Sequence, residues 1–470
     1  MTAAHQAPTF RRRRSRVLGE LRKALLGGVA LLAGLGCGIE PVSAETLKEA
    51  LALAYDNNPR LLSSRAELRA TDEFVPQALS GWRPTVTVDG QVGREWEDSS
   101  VAGSDDLTPR AANLGVTQPL YRGGRTVAGT RQAENQVLAQ REVLESVEQD
   151  VLFEAVVAFM DVLRDEAVLR LNINNEQVLQ RQLEAARDRF EVGEITRTDV
   201  AQAESRLSGA NSGRIAAEGQ LTTSRAIYRQ VIGQMPGSLV RPGPAEDLPA
   251  TEDEAIASSD SNPNVQAAVY IERAAREGVD VVFGELLPEV SLRGDLTTGE
   301  DISQSGVQSD SAAILAQVVI PLYEAGATHS RVREAKERVS QRRQDIETQR
   351  RFAAQDATTA WRALETARSQ IAAFESQVRA AEIALEGVQQ EAAVGSRTVL
   401  DILDAEQELL DARVSLVRAL RDEVVASYQL LAAVGRLTAA DLDLPVEIYD
   451  VEEHYEEVRD KWWGVGPSID

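Results

Sequence analysis

From about residue 325 onward, apolar side chains recur at every seventh place: Val332, Val339, Ile346, Ala353, Ala360, Ala367, Phe374, Ala381 and Val388. A second row, Leu364, Ile371, Val378, Leu385 and Ala392, runs beside it. Sustained sevenfold spacing keeps one seam facing a partner helix and predicts coiled-coil packing with a left-handed supercoil. The helix so marked, from about Ala325 to Ala393, would be on the order of 100 Å long at the standard rise per residue. Val394-Gly395 ends it, because glycine adopts the left-handed backbone of a helix stop. A shorter helix returns with the seam Leu403, Leu410, Val417, Val424 and Leu431.

Elsewhere the period is two. Val86, Val88 and Val92 alternate with polar residues after Trp82-Arg83-Pro84, as do Val290, Leu292 and Leu296 after Leu286-Leu287-Pro288; both runs predict strands. Return strands run from Ala112 through Leu114 and Val116, and from Ile314 through Ala316, Val318 and Ile320, each ending at Pro-Leu-Tyr. The strand pairs thus occupy 84–120 and 288–321. The acidic, glycine-containing stretches between them, Arg94 to Arg110 and Gly299 to Asp310, read as exposed turns. A helix of roughly 35 residues, beginning at Leu47 or Glu252, is predicted to precede each pair and stop at its proline, which cannot continue the helical bonds. Placed end to end with a return helix, it would match the long helix along its length.

The chain is written twice. Asn58-Pro59 recurs as Asn262-Pro263 and Pro84 as Pro288, displaced by 204 residues. Pro119, Leu120, Tyr121 and Gly124 recur as Pro321, Leu322, Tyr323 and Gly326, displaced by 202, as do Gly193 as Gly395, Asp199 as Asp401 and Gly233 as Gly435. Two residues are lost in between, where a surface loop tolerates it. The units are 45–235 and 252–436, with turns near 193 and 395, a linker at 236–251 and an acidic tail at 437–470 that ends with Trp462-Trp463 close by.

Charge narrows the partners. With 74 Asp plus Glu against 50 Lys plus Arg the net is −24, which argues against nucleic acid. The clustered basic residues, Arg11 to Arg14, Arg16, Arg22 and Lys23, precede an apolar run from Ala24 to Ile39 and the small residues Val42, Ser43 and Ala44. This reads as a signal peptide, 1–44, cut after Ala44, which would take the net charge from −24 to −29. Cys37, the one cysteine, falls inside it. Gly34 stands three places earlier, where lipoprotein signals carry a bulky aliphatic, so the segment reads as cleaved rather than lipidated. The mature chain would then have no disulfide and no thiolate metal site. His329 and His454 read as isolated, and no Ser-His-Asp set, phosphate loop or cluster of metal ligands occurs at usable spacing. Enzyme, cofactor and metal readings are therefore disfavoured.

Four amphipathic strands of about nine residues are long enough to cross a thin outer membrane when tilted. Four strands cannot close a barrel, and open edges have no partner in hydrocarbon. If these strands enter a bilayer, several chains must share one barrel. A water-soluble hairpin pair in a periplasmic coiled-coil adaptor or scaffold is the alternative.

At Pro-Leu-Tyr, the paired glycine turns, the duplication and the stretch from Val394 to Glu406, the sequence resembles the TolC-type outer-membrane efflux proteins over nearly all of its mature length. The resemblance implies a mainly α fold with transmembrane β. Three protomers would give four strands each to a shared twelve-stranded barrel, and their coiled-coil hairpins would form a tunnel across the periplasm. It implies a homotrimer in outer-membrane lipid, joined through a periplasmic adaptor (membrane fusion protein) to an inner-membrane transporter of ABC or RND type, for efflux or type I secretion. Gly193 and Gly395 would mark the tip where the adaptor docks. Asp401 and Asp404 match the acidic rings of the closed entrance, Arg397 its basic latch, and Thr198 and Asp199 the partners of that latch. Ala392 departs from the family, which has a latch tyrosine there. Pro119, Tyr121, Pro321 and Tyr323 would sit at the strand-to-helix junctions, by the membrane interface. The linker and tail would wrap the tunnel at mid-height.

Overall fold

The computed structural model describes residues 45–99, 103–302 and 306–466; the expected signal segment, with Cys37, lies outside them. The first helical arm is three helices where one was expected: α1 (Leu47–Asn57), α2 (Pro59–Asp72) and α3 (Phe74–Leu79), ending in a 3-10 turn at Ser80–Trp82. Its counterpart is split likewise, into Glu252–Ser258 and Pro263–Phe283. A proline disfavours helical backbone in the residue before it, and Asn58 (φ −70°, ψ 122°) and Asn262 (φ −58°, ψ 131°) are accordingly extended. Each asparagine then caps the next helix, accepting from Arg60 N at 2.9 Å and from Asn264 N at 3.0 Å.

The strands follow: β1 (Thr85–Val92), β2 (Glu95–Ser99), β3 (Gly103–Leu107) and β4 (Arg110–Arg122). The stretch Arg94 to Arg110, expected as a turn, holds the β2–β3 hairpin, paired from Glu95↔Leu107 to Ser99↔Gly103. Its strands, Glu-Trp-Glu-Asp-Ser and Gly-Ser-Asp-Asp-Leu, are acidic and carry no apolar alternation, so the pattern did not reveal it. β4 also runs on through Pro-Leu-Tyr, where its register with the opposing strand shifts between Pro119 and Tyr121. A bulge absorbs the amide that proline lacks.

The long helix α4 (Arg125–Glu191) and its return α5 (Arg197–Ile232) come next, then the linker, α6 (Glu252–Ser258), α7 (Pro263–Phe283) and a 3-10 turn at Gly284–Leu286. β5 (Glu289–Glu300) and β6 (Gln308–Val319) take up both ends of the second expected turn, and β6 stops before Pro321. α8 (Ala327–Ala393), α9 (Val399–Ala433) and the short α10 (Glu453–Arg459) complete the described residues. Both long helices have 67 residues, as the sevenfold rows require.

α4 packs along α5 and, nearer its start, along α1, α2, α3 and α7; α8 packs along α9 and α7. α7 therefore serves both long helices and locks the two repeats together. Every residue of the two rows on α8 is buried or half-buried. The largest apolar cluster lies where the short helices meet α4 and α5, around Tyr55, Leu61, Leu152, Phe159 and Tyr228. Asn58 Nδ2 donates to Val231 O at 3.0 Å and Asn262 Nδ2 to Ala433 O at 3.3 Å, so each break is tied to the carbonyl end of a return helix. Linker and tail cover this cluster with Leu239, Leu248, Leu437, Leu444 and Tyr449.

Among the described residues no helix is long and apolar enough to cross a membrane.

Candidate functional site

The four long strands form one antiparallel sheet in the order β1-β4-β5-β6. Residues directly opposite in such a sheet share a face, and the register puts Val86 by Val116, Val88 by Leu114, Leu114 by Leu296, Leu292 by Ala316 and Val290 by Val318. One face is thus apolar across all four strands, and its large side chains Val86, Val88, Leu296, Ile314 and Val318 are exposed. The other face is polar across β1, β4 and β5, with Leu315 and Val319 of β6 its large apolar exceptions: Thr297 Oγ1 donates to Asn113 Oδ1 at 2.9 Å, and Arg293 pairs with Asp295 at 2.8 Å. A sheet apolar on one face and polar on the other suits strands that meet lipid on one side and water on the other.

At the foot of the sheet, Gln118 Nε2 donates to Trp82 O and Pro119 O, both at 2.8 Å. Arg125 reaches Glu289 at 2.8 Å, joining the start of α4 to β5. Pro119 and Tyr121 lie within β4, and Pro321 and Tyr323 just beyond β6; both tyrosines are exposed.

At the far ends of the hairpins the two repeats build the same turn. Gly193 and Gly395 both have φ +79°. A threonine then caps each return helix in a capping box: Asp199 Oδ2 accepts from Thr196 N at 2.9 Å and Oγ1 at 2.8 Å, and Asp401 Oδ2 from Thr398 N and Oγ1, both at 2.8 Å. These bonds hold both carboxyls below the usual aspartate range, because they stabilise the charged form. Asp199 and Asp401 therefore have a local duty, as the reciprocal partners of the capping threonines.

Arg397 donates to Glu391 Oε2 at 2.9 Å, on its own hairpin, and lies 3.9 Å from Asp401. Within one chain it is not brought onto Thr198 or Asp199. The link between hairpins is instead Arg206, which pairs with Asp404, while Leu403 is buried among Leu179, Leu183 and Ala203 of the first hairpin. Sequence reasoning missed Arg206, whose repeat position carries Glu408 and so gives no signal. Val192 and Val394, beside the turn glycines, are 72% and 82% exposed.

His454, expected to be isolated, is not: its Nδ1 lies 3.0 Å from Oδ2 of the buried Asp72. Burial pushes the Asp72 carboxyl up, against the opposing pull of this bond. Among the described residues no three His, Cys, Asp or Glu side chains gather as a metal site.

A family model described as outer membrane efflux protein matches residues 50–234 and 257–436. The chain belongs to this family. It is 38% identical over 445 residues to the outer membrane efflux protein BepC of Brucella suis, covering 94% of this chain and 97% of that one. It is 28% identical over 426 residues to the outer membrane protein TolC of Vibrio cholerae, covering 87% and 95%. Its fold matches the crystal structure of the Campylobacter jejuni CmeC outer membrane channel with a TM-score of 0.76 at 15% identity, covering 88% and 89%. The chain is accordingly an outer-membrane channel protein of efflux or type I secretion systems. The family and its relatives are channel proteins, and the periplasmic-scaffold alternative falls with the location.

Proposed function

We propose that three copies of this chain close a twelve-stranded barrel through which cargo leaves passively, having entered at the periplasmic hairpin tips. The observation that carries this is the sheet with two free edges. β1 and β6 flank an apolar face, and in lipid each unpaired edge group costs several kcal/mol. Pairing β6 of one copy with β1 of the next removes every edge. Pro119, Tyr121, Pro321 and Tyr323 then ring the barrel foot, at the lipid interface.

Threefold symmetry would gather Asp401 and Asp404 around the axis as acidic rings, favouring cations at the entrance. Arg397 would exchange Glu391 for Thr198 and Asp199 on the first hairpin of an adjacent copy, latching the closed state by charge-assisted bonds. The exposed Val192 and Val394 at Gly193 and Gly395 offer apolar footholds to a periplasmic adaptor, which would join the tunnel to an inner-membrane transporter of ABC or RND type. Electron microscopy of detergent-purified protein tests the assembly: threefold particles with a central lumen are expected, and solitary particles without one would end the proposal. Crosslinking from cysteines placed near Gly193 and Gly395 identifies what docks there.

A further inference from the structure

The C-terminal segment does not stay at mid-height; it climbs α4 towards the barrel. Ala439 N donates to Glu148 at 2.6 Å, Arg141 pairs with Glu452 at 2.9 Å and Glu134 with Arg459 at 3.3 Å. At the helical rise per residue these three α4 positions stand about 35, 24 and 14 Å from the start of the helix at Arg125. The next contact is at the barrel foot itself, where Arg83 Nη1 donates to Lys461 O at 2.6 Å and its guanidinium lies 5.1 Å from the centre of the Trp462 ring. Arg83 is two residues before β1.

What arrives there is a pair of bare indoles. Trp462 is 66% exposed and Trp463 90%, and Val465 is fully exposed. In a chain with only five tryptophans, two consecutive ones in water would forfeit a large hydrophobic contribution. Trp463 lies within about 7 Å of the Lys461 backbone, since an extended chain reaches no further over two residues. The pair therefore lies at the level of the strand-to-helix junction, beside Arg83, whose chain neighbour Trp82 is also exposed.

We propose that Trp462, Trp463 and Val465 enter the periplasmic leaflet of the outer membrane as an interfacial anchor, with Arg83 and Lys461 facing the lipid phosphates. Tryptophan prefers this zone because its ring is apolar and its N–H is not, and basic side chains complement anionic headgroups beside it. The occupant is lipid rather than a second copy because the pair is held by Arg83, two residues before the strand whose Val86 and Val88 open the exposed apolar face of the sheet. The tail thereby straps the tunnel to the membrane from outside the barrel.

The test uses the full chain and its W462F/W463F variant, each reconstituted in phospholipid vesicles brominated high on the acyl chains. Subtracting the two emission spectra isolates the pair, and flotation with the vesicles checks barrel insertion separately. The expected difference spectrum is blue-shifted and loses most of its intensity to the brominated lipid, with little loss to aqueous acrylamide. Two outcomes overturn the anchor: red emission quenched by acrylamide alone, which leaves the pair in water, and emission shielded from both quenchers, which buries it against another copy.

Discussion

A side-chain carbon on Gly123 would stand 2.1 Å from the carbonyl oxygen of Gly284. The two glycines let the β4-to-α4 corner press against the 3-10 turn that feeds β5, so the foot of the sheet is knitted from both repeats. Gly123 also has φ +61°. Gly123→Ala therefore adds left-handed strain to a backbone overlap, together about 3 kcal/mol. Gly124→Ala, at φ +78° with open space around it, incurs the strain alone, about 1 kcal/mol. Thermal unfolding of the detergent-purified protein should rank Gly123→Ala well below Gly124→Ala; equal losses would refute the close approach.

Asn58→Ala removes both the cap of α2 and the partner of the Val231 carbonyl. A lost cap costs about 1 kcal/mol and an orphaned buried acceptor about as much again. Asn262→Ala should cost less, because its amide reaches Ala433 O at 3.3 Å and Ala432 O at 3.4 Å, a weaker pair of bonds. Circular dichroism melts of the two variants give the comparison.

Periodic features were the legible ones. The sevenfold rows, the period-two strands and the landmarks displaced by 202 are local repetitions, and each survives as an element. The Asn-Pro breaks were in plain sight as landmarks, yet their power to split a helix was not drawn from them. Links between distant elements were not legible: Arg206 meets Asp404 across 198 residues and His454 meets Asp72 across 382, and no local pattern encodes such a meeting. The duty of Asp401 as a cap was concealed by its more specific match to an acidic ring, although Thr398-x-x-Asp401 is itself a capping signature.

Glu148 lies on α4 where the tail crosses it, and burial, aided by the nearby Glu145 and Asp441, pushes its carboxyl up to about 7 against the pull of the Ala439 N–H and Arg65. Its folded value is thus raised above that of the unfolded chain, near 4.5. Between those values the folded state holds the proton more tightly, so this group's stabilising contribution is complete below about pH 4.5 and lost as the pH rises through 7. Glu148→Gln keeps the acceptor for Ala439 N and abolishes the titration. The variant should match the native protein at pH 4.5 and exceed it at pH 8 by on the order of 2 kcal/mol. Parallel melts at the two pH values measure this, and a pH-independent difference would refute it.

The hairpin tips carry two arginines whose roles can be separated. Arg206 pairs with Asp404 across the hairpins of one chain, whereas Arg397 rests on Glu391 of its own hairpin. If the proposed latch forms between copies, Arg397→Ala removes it without disturbing Asp404. Conductance in planar bilayers should then rise several-fold, while block by trivalent cations tightens only slightly, because Arg397 stands 3.9 Å from Asp401 and makes its closer pair with Glu391. Arg206→Ala instead releases one hairpin from the other and removes the cation that neutralises Asp404, leaving each copy's carboxylate unpaired at the proposed ring. It should raise conductance and make cation block tighter, since like carboxylates gathered on an axis bind multivalent cations. Native conductance in Arg397→Ala would sink the latch; native cation block in Arg206→Ala would remove Asp404 from the ring while leaving the barrel untouched.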